Sequence, residues 1–206
     1  MKRDCRKALN DYIDALPGYR SRLESANAQW TEGEYNAYAA SRDSRYILLD
    51  KATVKVSGHA SPVEICDLLS DDGDFIHIKG KLRSSALSHL FTQGYVSADL
   101  LVRSPDYRRK VRKKVETVLS GESDEVRESF AGVLSRLDED AFSPKDFRIV
   151  YGIIADWDDR SASAALPYSS KVNLRLHAED LKRMGFKVAL KPIQVVAAKI
   201  PSVPGI

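Results

Sequence analysis

A nearly continuous apolar run at residues 147–155 constrains the fold of this chain more than any other segment. The run reads FRIVYGIIA and contains one charged residue, Arg148. A strand that is apolar on both faces is typical of a sheet covered by helices on both sides, whereas a half-exposed strand alternates with polar residues. The run therefore predicts a central strand of an α/β fold.

A β-hairpin is the second strong prediction. Two runs rich in apolar and β-branched residues, 63–69 and 75–79, flank the turn sequence Ser-Asp-Asp-Gly at 70–73. Shorter β-type runs at 46–49 and 53–56 precede it. Together these segments predict a three-strand meander.

Helical periodicity surrounds the strands. Residues 4–16 predict one helix, and a second helical region is expected over about 19–42, with Thr31 and Glu34 spaced as a capping box in its later half. Serine caps predict one helix from Ser84 or Ser85, with a break allowed at Gly94, and another from Ser104-Pro105. Residues 122–139 are also expected to be helical, and a last helix runs from Ser170 or Asn173 to Gly185. A strand at 186–190 and an irregular tail from Pro192 follow.

This element order predicts an α/β fold with a mixed sheet flanked by helices. The order α-β-β-β-α-β-α-β is that of the restriction-endonuclease-like core, although other small α/β folds share it. We expect an extra N-terminal helical region, residues 1–42, packed on a core of residues 43–191. That core includes a helical insertion at 104–140, and residues 192–206 form the tail.

Composition argues against a disordered or membrane-spanning chain. Hydrophobic residues make up 43% and charged residues 30% of the 206, which suits a packed core. No apolar run approaches the ~20 residues that cross a bilayer, and the charged first residues resemble no signal region. Cys5 and Cys66 form neither a zinc motif nor a disulfide framework, so the cytoplasm is the expected location.

Charged residues inside the predicted hairpin are the candidate catalytic groups. Residues two apart on a strand share a face, so His77 and Lys79 point the same way, and the antiparallel strand brings Asp67 near them. Glu34, on the preceding helix, adds a carboxylate. These are the parts of a metal-dependent phosphodiesterase, in which Asp67, Glu34 and His77 bind the cation. Lys79 then stabilises charge on the phosphate.

Other interpretations of these residues remain open. His77 stands where the nuclease pattern has Asp or Glu, and histidine suits Mn²⁺ or Zn²⁺ better than Mg²⁺. We expect Mg²⁺ or Mn²⁺ as the cofactor. The hairpin residues equally fit a satisfied polar cluster at the end of the sheet. Glu64 is a rival of Asp67, because a register shift of one residue exchanges the faces of a strand.

A basic segment is the candidate nucleic-acid-binding surface. The net charge is only +3, but seven basic residues lie between positions 103 and 114, and eight acids follow between 116 and 140. Such segregation creates a local positive field. A solvated helix face and ordinary helix capping are the alternatives. The candidate phosphate-binding residues are Arg108, Arg109, Lys110, Arg112 and Lys113 in this segment, and Lys171 and Arg175 near a later helix start.

Six short stretches carry a family resemblance. They are EYN at 34–36, LDK at 49–51, EICDLL at 64–69, FIHIK at 75–79, LSHLFTQG at 87–94 and LPYSSKVNL at 166–174. In these stretches the chain resembles a sporadically distributed, functionally uncharacterised bacterial family, similar in pattern to proteins of mobile and defence-related gene neighbourhoods. The resemblance implies a defence setting but no established catalytic residues. Members are usually much longer, so the chain resembles their C-terminal part, and a homodimer or a partner protein supplying the N-terminal region is expected.

Gln93 is a further candidate for the site. It lies fourteen residues after Lys79, on the helix that follows the hairpin. Some nucleases of the restriction-endonuclease-like architecture place a glutamine there to orient the lysine or contact DNA. Ordinary polarity of a helix surface explains the residue equally well.

Three functions follow from these expectations. The first is a metal-dependent nuclease acting on DNA, with RNA as the less expected substrate. The second is a non-catalytic nucleic-acid-binding domain, and the third is a protein-interaction module of a defence complex. Dependence on a divalent metal and on Lys79 indicates the first, and salt-dependent binding alone indicates the second.

Overall fold

The computed structural model describes residues 2–20, 23–56, 58, 61–80, 83–138 and 142–197. In chain order the strands are β1 (Ala26–Asn27), β2 (Tyr46–Leu48), β3 (Thr53–Val54), β4 (Val63–Glu64), β5 (Leu68–Ser70), β6 (Asp74–Gly80), β7 (Arg148–Ala155) and β8 (Lys187–Val196). The α-helices are α1 (Lys2–Asp14), α2 (Glu32–Arg42), α3 (Ser84–Arg103), α4 (Pro105–Leu119), α5 (Asp124–Ser129), α6 (Ala131–Arg136), α7 (Ala162–Ala165) and α8 (Tyr168–Arg183).

Six of these strands form one mixed sheet in the order β1-β8-β7-β6-β5-β2, and β3 and β4 form a separate antiparallel ribbon. Strand β5 is antiparallel to both β2 and β6. Strands β6, β7, β8 and β1 run parallel to one another. The predicted α/β class, with a mixed sheet and flanking helices, is confirmed.

The predicted central strand is confirmed as β7, which lies between β6 and β8. Its residues alternate between two apolar cores: Ile149 and Tyr151 belong to the larger one, with residues of α3 and α8, and Val150 to the smaller one, with residues of α2. Both faces are therefore buried, which explains why the run at 147–155 lacks polar alternation.

The hairpin is confirmed for β5 and β6, but the predicted strand at 63–69 is divided. Its first part, β4, pairs with β3, and its second part, β5, pairs with β2 and β6. Two backbone hydrogen bonds mark the crossover: the Ile65 amide donates to Ala52 O (3.0 Å), and the Leu49 amide donates to Asp67 O (2.8 Å). Asp67 therefore lies at a break between two sheets and not in the middle of a strand.

The region from 19 to 42 is only partly helical, contrary to the prediction. Helix α2 begins after Thr31 with the expected capping box to Glu34. Upstream, the Tyr19 amide donates to Leu190 O (3.0 Å), and β1 pairs in parallel with the end of β8. Pairing with an available sheet edge outweighs the local helical pattern.

Helix α3 continues through Gly94, where a break had been allowed. A Cβ at this position would lie 2.7 Å from Cε1 of Tyr151, so the glycine permits a close approach to β7. Arg83 is the N-cap residue and provides no side-chain cap, so the expected serine cap is not found. The Ser104 cap of α4 is confirmed, since its side chain accepts from the Tyr107 amide.

Strand β8 extends to Val196 although the chain was expected to be irregular from Pro192. The Leu190 amide points away from β7, to Pro17 O. Pro192, two residues further along the strand, places its missing N–H on that same side, where β1 has not yet begun. Proline is therefore tolerated there without loss of a ladder bond to β7.

The last helix, α8, begins at Tyr168, two residues before the expected start. It is followed by Gly185 at φ 100°, as predicted for a left-handed end. Helices α4 to α6 are inserted between α3 and β7. No helix in the described ranges is long and apolar enough to cross a membrane.

Candidate metal centre

Three carboxylates converge beside the C-terminal end of β6. They belong to Asp50 after β2, Glu64 in β4 and Asp67 before β5, and one oxygen of each lies within 4.8 Å of the other two. All three residues are half-buried. The break between β4 and β5 brings them together, because it turns the chain between the two sheets at Asp67.

Asp67 is the most firmly held member of the cluster. Its Oδ2 accepts a hydrogen bond of 2.6 Å from the Ile78 amide of β6, and its own amide donates to Ile76 O at 2.9 Å. Burial raises the pKa of the Asp67 carboxyl to about 7, and the nearby charges of Glu64, Asp50 and Glu32 act in the same direction. The hydrogen bond from Ile78 partly opposes this rise.

Asn36 of α2 closes one side of the cluster and is fully buried. Its Nδ2 lies 3.2 Å from Asp67 Oδ1 and 3.4 Å from Asp50 Oδ1. Its Oδ1 has no hydrogen-bond partner in the described part of the chain. A rotated amide would turn that oxygen towards the carboxylates, so Asn36 can offer either a donor to the carboxylates or an acceptor to a cation among them.

Gln93 closes the other side from α3, with Nε2 2.6 Å from Glu64 Oε2. Asn36 and Gln93 thus approach the cluster from different helices. Gln93 is brought into the site as the sequence suggested, but its partner is the carboxylate of Glu64 and not Lys79.

Lys79 adjoins the cluster through Glu32. Its Nζ lies 2.7 Å from Glu32 Oε2, and Glu32 Oε1 accepts the Gly80 amide at 3.1 Å. The lysine is partly exposed, with 28% of its side-chain surface accessible. Glu32 acts electrostatically on Asp67, so a lysine, its partner acid and the three carboxylates form one charged group at the end of β6.

Two of the residues predicted from sequence lie outside this group. Glu34 bonds both the side chain and the amide of Thr31 in the capping box, and this interaction lowers the pKa of its carboxyl. Glu32, which also lies in the first turn of α2, reaches the site instead. The carboxylates that converge come from the loops and from β4, and Glu34 is not among them.

His77 is buried in the larger core rather than joined to the carboxylates. Its ring centroid is 6.4 Å from that of Tyr151, and Nε2 has no hydrogen-bond partner among the described residues. Burial lowers the pKa of its imidazole to about 4, so the ring is neutral near pH 7. The sequence predicted that His77 would lie near Asp67, but His77 is not a member of the acidic cluster.

Asp50, Asn36 and Glu32 were not among the candidate residues. Asp50 and Asn36 lie in two of the stretches that carry the family resemblance, which is the signal that could have found them. Asp50 precedes Lys51, whose φ of 60° marks a sharp turn of the chain. The capping-box spacing from Thr31 assigns Glu34 to the helix end, and this signal could have pointed to Glu32 as the acid left for the site.

The basic helix α4 has a different exposed surface from the one predicted. Arg108 is buried, donates to Leu101 O (2.7 Å) and packs over the Phe142 ring. Arg112 pairs with Glu116 and Asp138. These two guanidinium groups hold the helical insertion together, so they are poorly placed for phosphate contact.

The other predicted phosphate-binding residues are distributed as follows. Arg109 and Lys110 both pair with Asp106, whereas Lys113 is exposed. Lys171 is buried, and its Nζ donates to Asn10 Oδ1 (2.7 Å) and Ser163 O (2.9 Å). Arg175 pairs with Glu179 and lies over the Tyr12 ring. The start of α8 is therefore occupied by contacts within the fold.

Comparison with known protein families gives a match over nearly the whole described chain. The model of a family of unknown function, DUF6119, matches residues 1–194. The chain belongs to the DUF6119 family. No curated protein and no solved structure matches it. DUF6119 membership covers every residue of the candidate centre, from Glu32 to Gln93, but assigns no activity to them.

Proposed function

We propose that this DUF6119 protein is a divalent-metal-dependent nuclease that hydrolyses phosphodiester bonds at the carboxylate cluster. The observation that carries the proposal is the convergence of Asp50, Glu64 and Asp67 within 4.8 Å, next to the strand that carries Lys79. Carboxylates and a neighbouring lysine are what phosphodiester hydrolysis with a bound cation requires.

The donor set fits a hard cation. Carboxylate oxygens are preferred by Mg²⁺ and Mn²⁺ over softer metals. Burial and the nearby acids raise the pKa of Asp67, and Oδ1 of Asn36, which has no hydrogen-bond partner among the described residues, is one more oxygen at the same place. Both features are expected of a site that gains stability when a divalent cation neutralises its charge.

The chain's own residues divide the work around such a cation. Asp50, Glu64 and Asp67 would hold it, and when bound it supplies Lewis-acid polarisation of the phosphate and an activated water. Gln93 fixes the carboxylate of Glu64, and the Ile78 amide fixes that of Asp67. Lys79, steadied by Glu32, offers its ammonium group to the charge that develops on the phosphate.

Nucleic acid is the proposed substrate, with DNA ahead of RNA. The order of α2, the meander β2-β5-β6, α3, β7, α8 and β8 supports a restriction-endonuclease-like core. In that arrangement Asp67 precedes the second strand of the meander, and Lys79 lies in the third. A bacterial defence or mobile-element setting rests on the family resemblance and stays part of the proposal.

A non-catalytic nucleic-acid-binding domain is the second candidate. It is favoured by His77, which stands two residues before Lys79 where the nuclease pattern has an acid, and which is buried and neutral. A domain that has lost catalysis would keep the fold and the basic surface while its cation site decays. Glu64 and Asp50 supply the missing acid in the nuclease proposal.

The test is degradation of labelled DNA and RNA with Mg²⁺, Mn²⁺ or EDTA. Wild-type protein is expected to cleave with either cation and not with EDTA, and Asp67→Asn and Asp50→Asn should each abolish cleavage. The matched control is Glu125→Gln, which removes one exposed carboxylate of helix α5 that is not a member of the cluster. Cleavage by both cluster variants would contradict the proposal, and so would cleavage by wild-type protein in EDTA.

A further inference from the structure

A basic groove of about 340 Å³ lies between α4 and the β3 strand. One wall is formed by Lys110, Lys113, Lys114 and Thr117 of α4. Their spacing of three, four and seven residues from the first places all four on one stripe of the helix. The opposite wall is the segment that begins with Thr53 at β3 and includes Lys55.

Most of the positive charge in this groove is not neutralised by ion pairs within the described residues. Lys110 is the exception, since its Nζ bonds Asp106 (2.6 Å) and Lys55 O (3.0 Å), which ties α4 to the end of the ribbon. Lys55, Lys113 and Lys114 are exposed and make no ion pair within the described ranges of the chain. Four lysines and no acid therefore line the groove, and the lysines form a positive surface at neutral pH.

The β3–β4 ribbon links the groove to the candidate metal centre. Thr53, which lines the groove, is the cross-strand partner of Glu64, which belongs to the carboxylate cluster. Residues directly opposite in an antiparallel pair project from the same face, with Cα atoms about 4.5–5.5 Å apart. The same face of the ribbon therefore carries a cation-binding carboxylate and the start of a lysine-lined wall.

We infer that this groove holds the sugar-phosphate backbone of the nucleic acid strand that enters the carboxylate cluster, without reading its bases. The inference rests on the proposed nuclease function and specifies how its substrate is bound. Lysine ammonium groups suit phosphate oxygens. The residues that line the groove include no aromatic side chain on which a base could stack. Affinity should therefore depend on salt and hardly on base sequence.

The surface predicted from sequence was broader than this groove, which Lys110 and Lys113 of that surface line. Arg108 and Arg112 are bonded within the fold. Lys114, which was not a candidate, and Lys55 from a different segment complete the groove instead. The phosphate path is thus set by which side of α4 faces the ribbon, a property that the charge count alone does not give.

The test is fluorescence anisotropy with short labelled oligonucleotides in EDTA, which separates binding from cleavage. The probes are oligo(dT), a mixed-sequence DNA strand, its duplex and the matching RNA. The double variant Lys113→Gln/Lys114→Gln removes two charges from the groove. The matched control is Lys145→Gln/Lys187→Gln, two exposed lysines near the start of β7 and β8, at the opposite end of the sheet.

Wild-type protein and the control are expected to bind with equal affinity and equal salt dependence. The groove variant should bind about tenfold more weakly at low salt. Its slope of log K against log salt should fall by about 1.4 for single strands, because each lost phosphate contact removes about 0.7. Oligo(dT) and the mixed strand should differ little from each other.

Three results overturn the inference: no binding by wild-type protein at low salt, equal losses in the groove variant and the control, or a strong preference among sequences that survives the variant. The proposed function is tested apart from it, by cleavage with Mg²⁺ or Mn²⁺. Groove-dependent binding without cleavage refutes the nuclease and leaves the binding groove standing. Cleavage by wild-type protein, together with unaltered binding in the groove variant, refutes the binding groove and leaves the nuclease standing.

Discussion

Lys79 Nζ lies 2.7 Å from Glu32 Oε2, and the same carboxylate accepts the Gly80 amide at 3.1 Å through Oε1. One side chain in the first turn of α2 thus joins that helix to the last residues of β6. An acid is favoured at this position by the helix dipole as well as by the lysine. The place of Lys79 beside the carboxylate cluster is therefore set by α2 and not by its own strand alone.

Replacement of Lys79 by alanine should reduce turnover by about 100-fold or more, since it removes one preorganised charge from the transition state. Substrate affinity in EDTA should change much less, because the lysine acts mainly on charge that develops during the reaction. Stability should change by less than about 1 kcal/mol, since the pair with Glu32 is partly exposed. Steady-state cleavage, anisotropy and urea unfolding measure the three quantities.

The matched variant is Glu32→Gln, which keeps the ammonium group and weakens its tether. It should retain more activity than Lys79→Ala while binding the substrate equally well. If Lys79→Ala cleaves as fast as wild-type protein, the lysine has no role in the reaction.

His77 should make the fold sensitive to mild acid. Burial lowers the pKa of its imidazole to about 4, below the value near 6.5 in the unfolded chain. A depressed pKa contributes stability that is present above the unfolded value and is lost as the pH falls through the window from about 6.5 to about 4. The loss has a slope of at most about 1.4 kcal/mol per pH unit.

The variant His77→Phe keeps an aromatic ring beside Tyr151 and removes the titrating group, whose Nε2 has no partner within the described residues. The difference in unfolding free energy between wild type and this variant, measured in urea from pH 7 to pH 4, should follow that window. A difference that is constant over the same range would show that the imidazole does not titrate in the fold.

Gly94 should be intolerant of even a methyl group. Alanine would favour the helix by about 1 kcal/mol on propensity alone, but its Cβ would lie 2.7 Å from Cε1 and 2.9 Å from the hydroxyl oxygen of Tyr151. Overpacking of this kind costs about 1–3 kcal/mol, so Gly94→Ala should have a lower thermal midpoint. Gly132→Ala in α6, with open space around it, is the control and should not lose stability by this route.

Local signals explain which parts of the fold could be predicted. The run at 147–155 and the turn at 70–73 carry their structural information within a few residues, and β7 and the β5–β6 hairpin follow from them. Strand β1 and the extension of β8 beyond Pro192 depend on pairing between segments far apart in sequence. The apolar pattern of the tail did not distinguish a strand from an irregular segment.

The residues of the candidate site also divide into those that a local sequence signal predicts and those whose position depends on distant segments. Asp67 could be predicted because an acid within an apolar run is unusual. The local pattern alone could not place Asp50, because its position depends on the turn at Lys51 and on the separate β3–β4 ribbon. The exchange of Glu34 for Glu32 reflects the geometry of one helical turn: Glu34 completes the capping box, and Glu32 is left to meet Lys79.

Asp67 should couple stability, pH and metal binding. Burial and the surrounding acids raise its pKa to about 7, above the value near 3.9 in the unfolded chain. A raised pKa contributes stability that is fully present below the unfolded value and is lost as the pH rises through the folded one. Without metal, the contribution of Asp67 to stability should therefore fall from about pH 4 to about pH 7, by at most about 1.4 kcal/mol per pH unit. This trend is opposite in sign to that from His77.

Addition of Mg²⁺ or Mn²⁺ should reverse the loss, because the cation binds the deprotonated carboxylate and stabilises the folded state by mass action. The rise in thermal midpoint on adding metal should thus grow from pH 5 to pH 8. Asp67→Asn should remove the Asp67 loss from the metal-free profile and abolish the metal-induced rise, whereas the control Glu125→Gln should keep both the loss and the rise. Thermal unfolding over a pH series with metal or EDTA gives all of these values. A metal-induced rise of equal size in wild type and Asp67→Asn would exclude Asp67 as a ligand, because the stabilisation would then come from cations bound elsewhere on the chain.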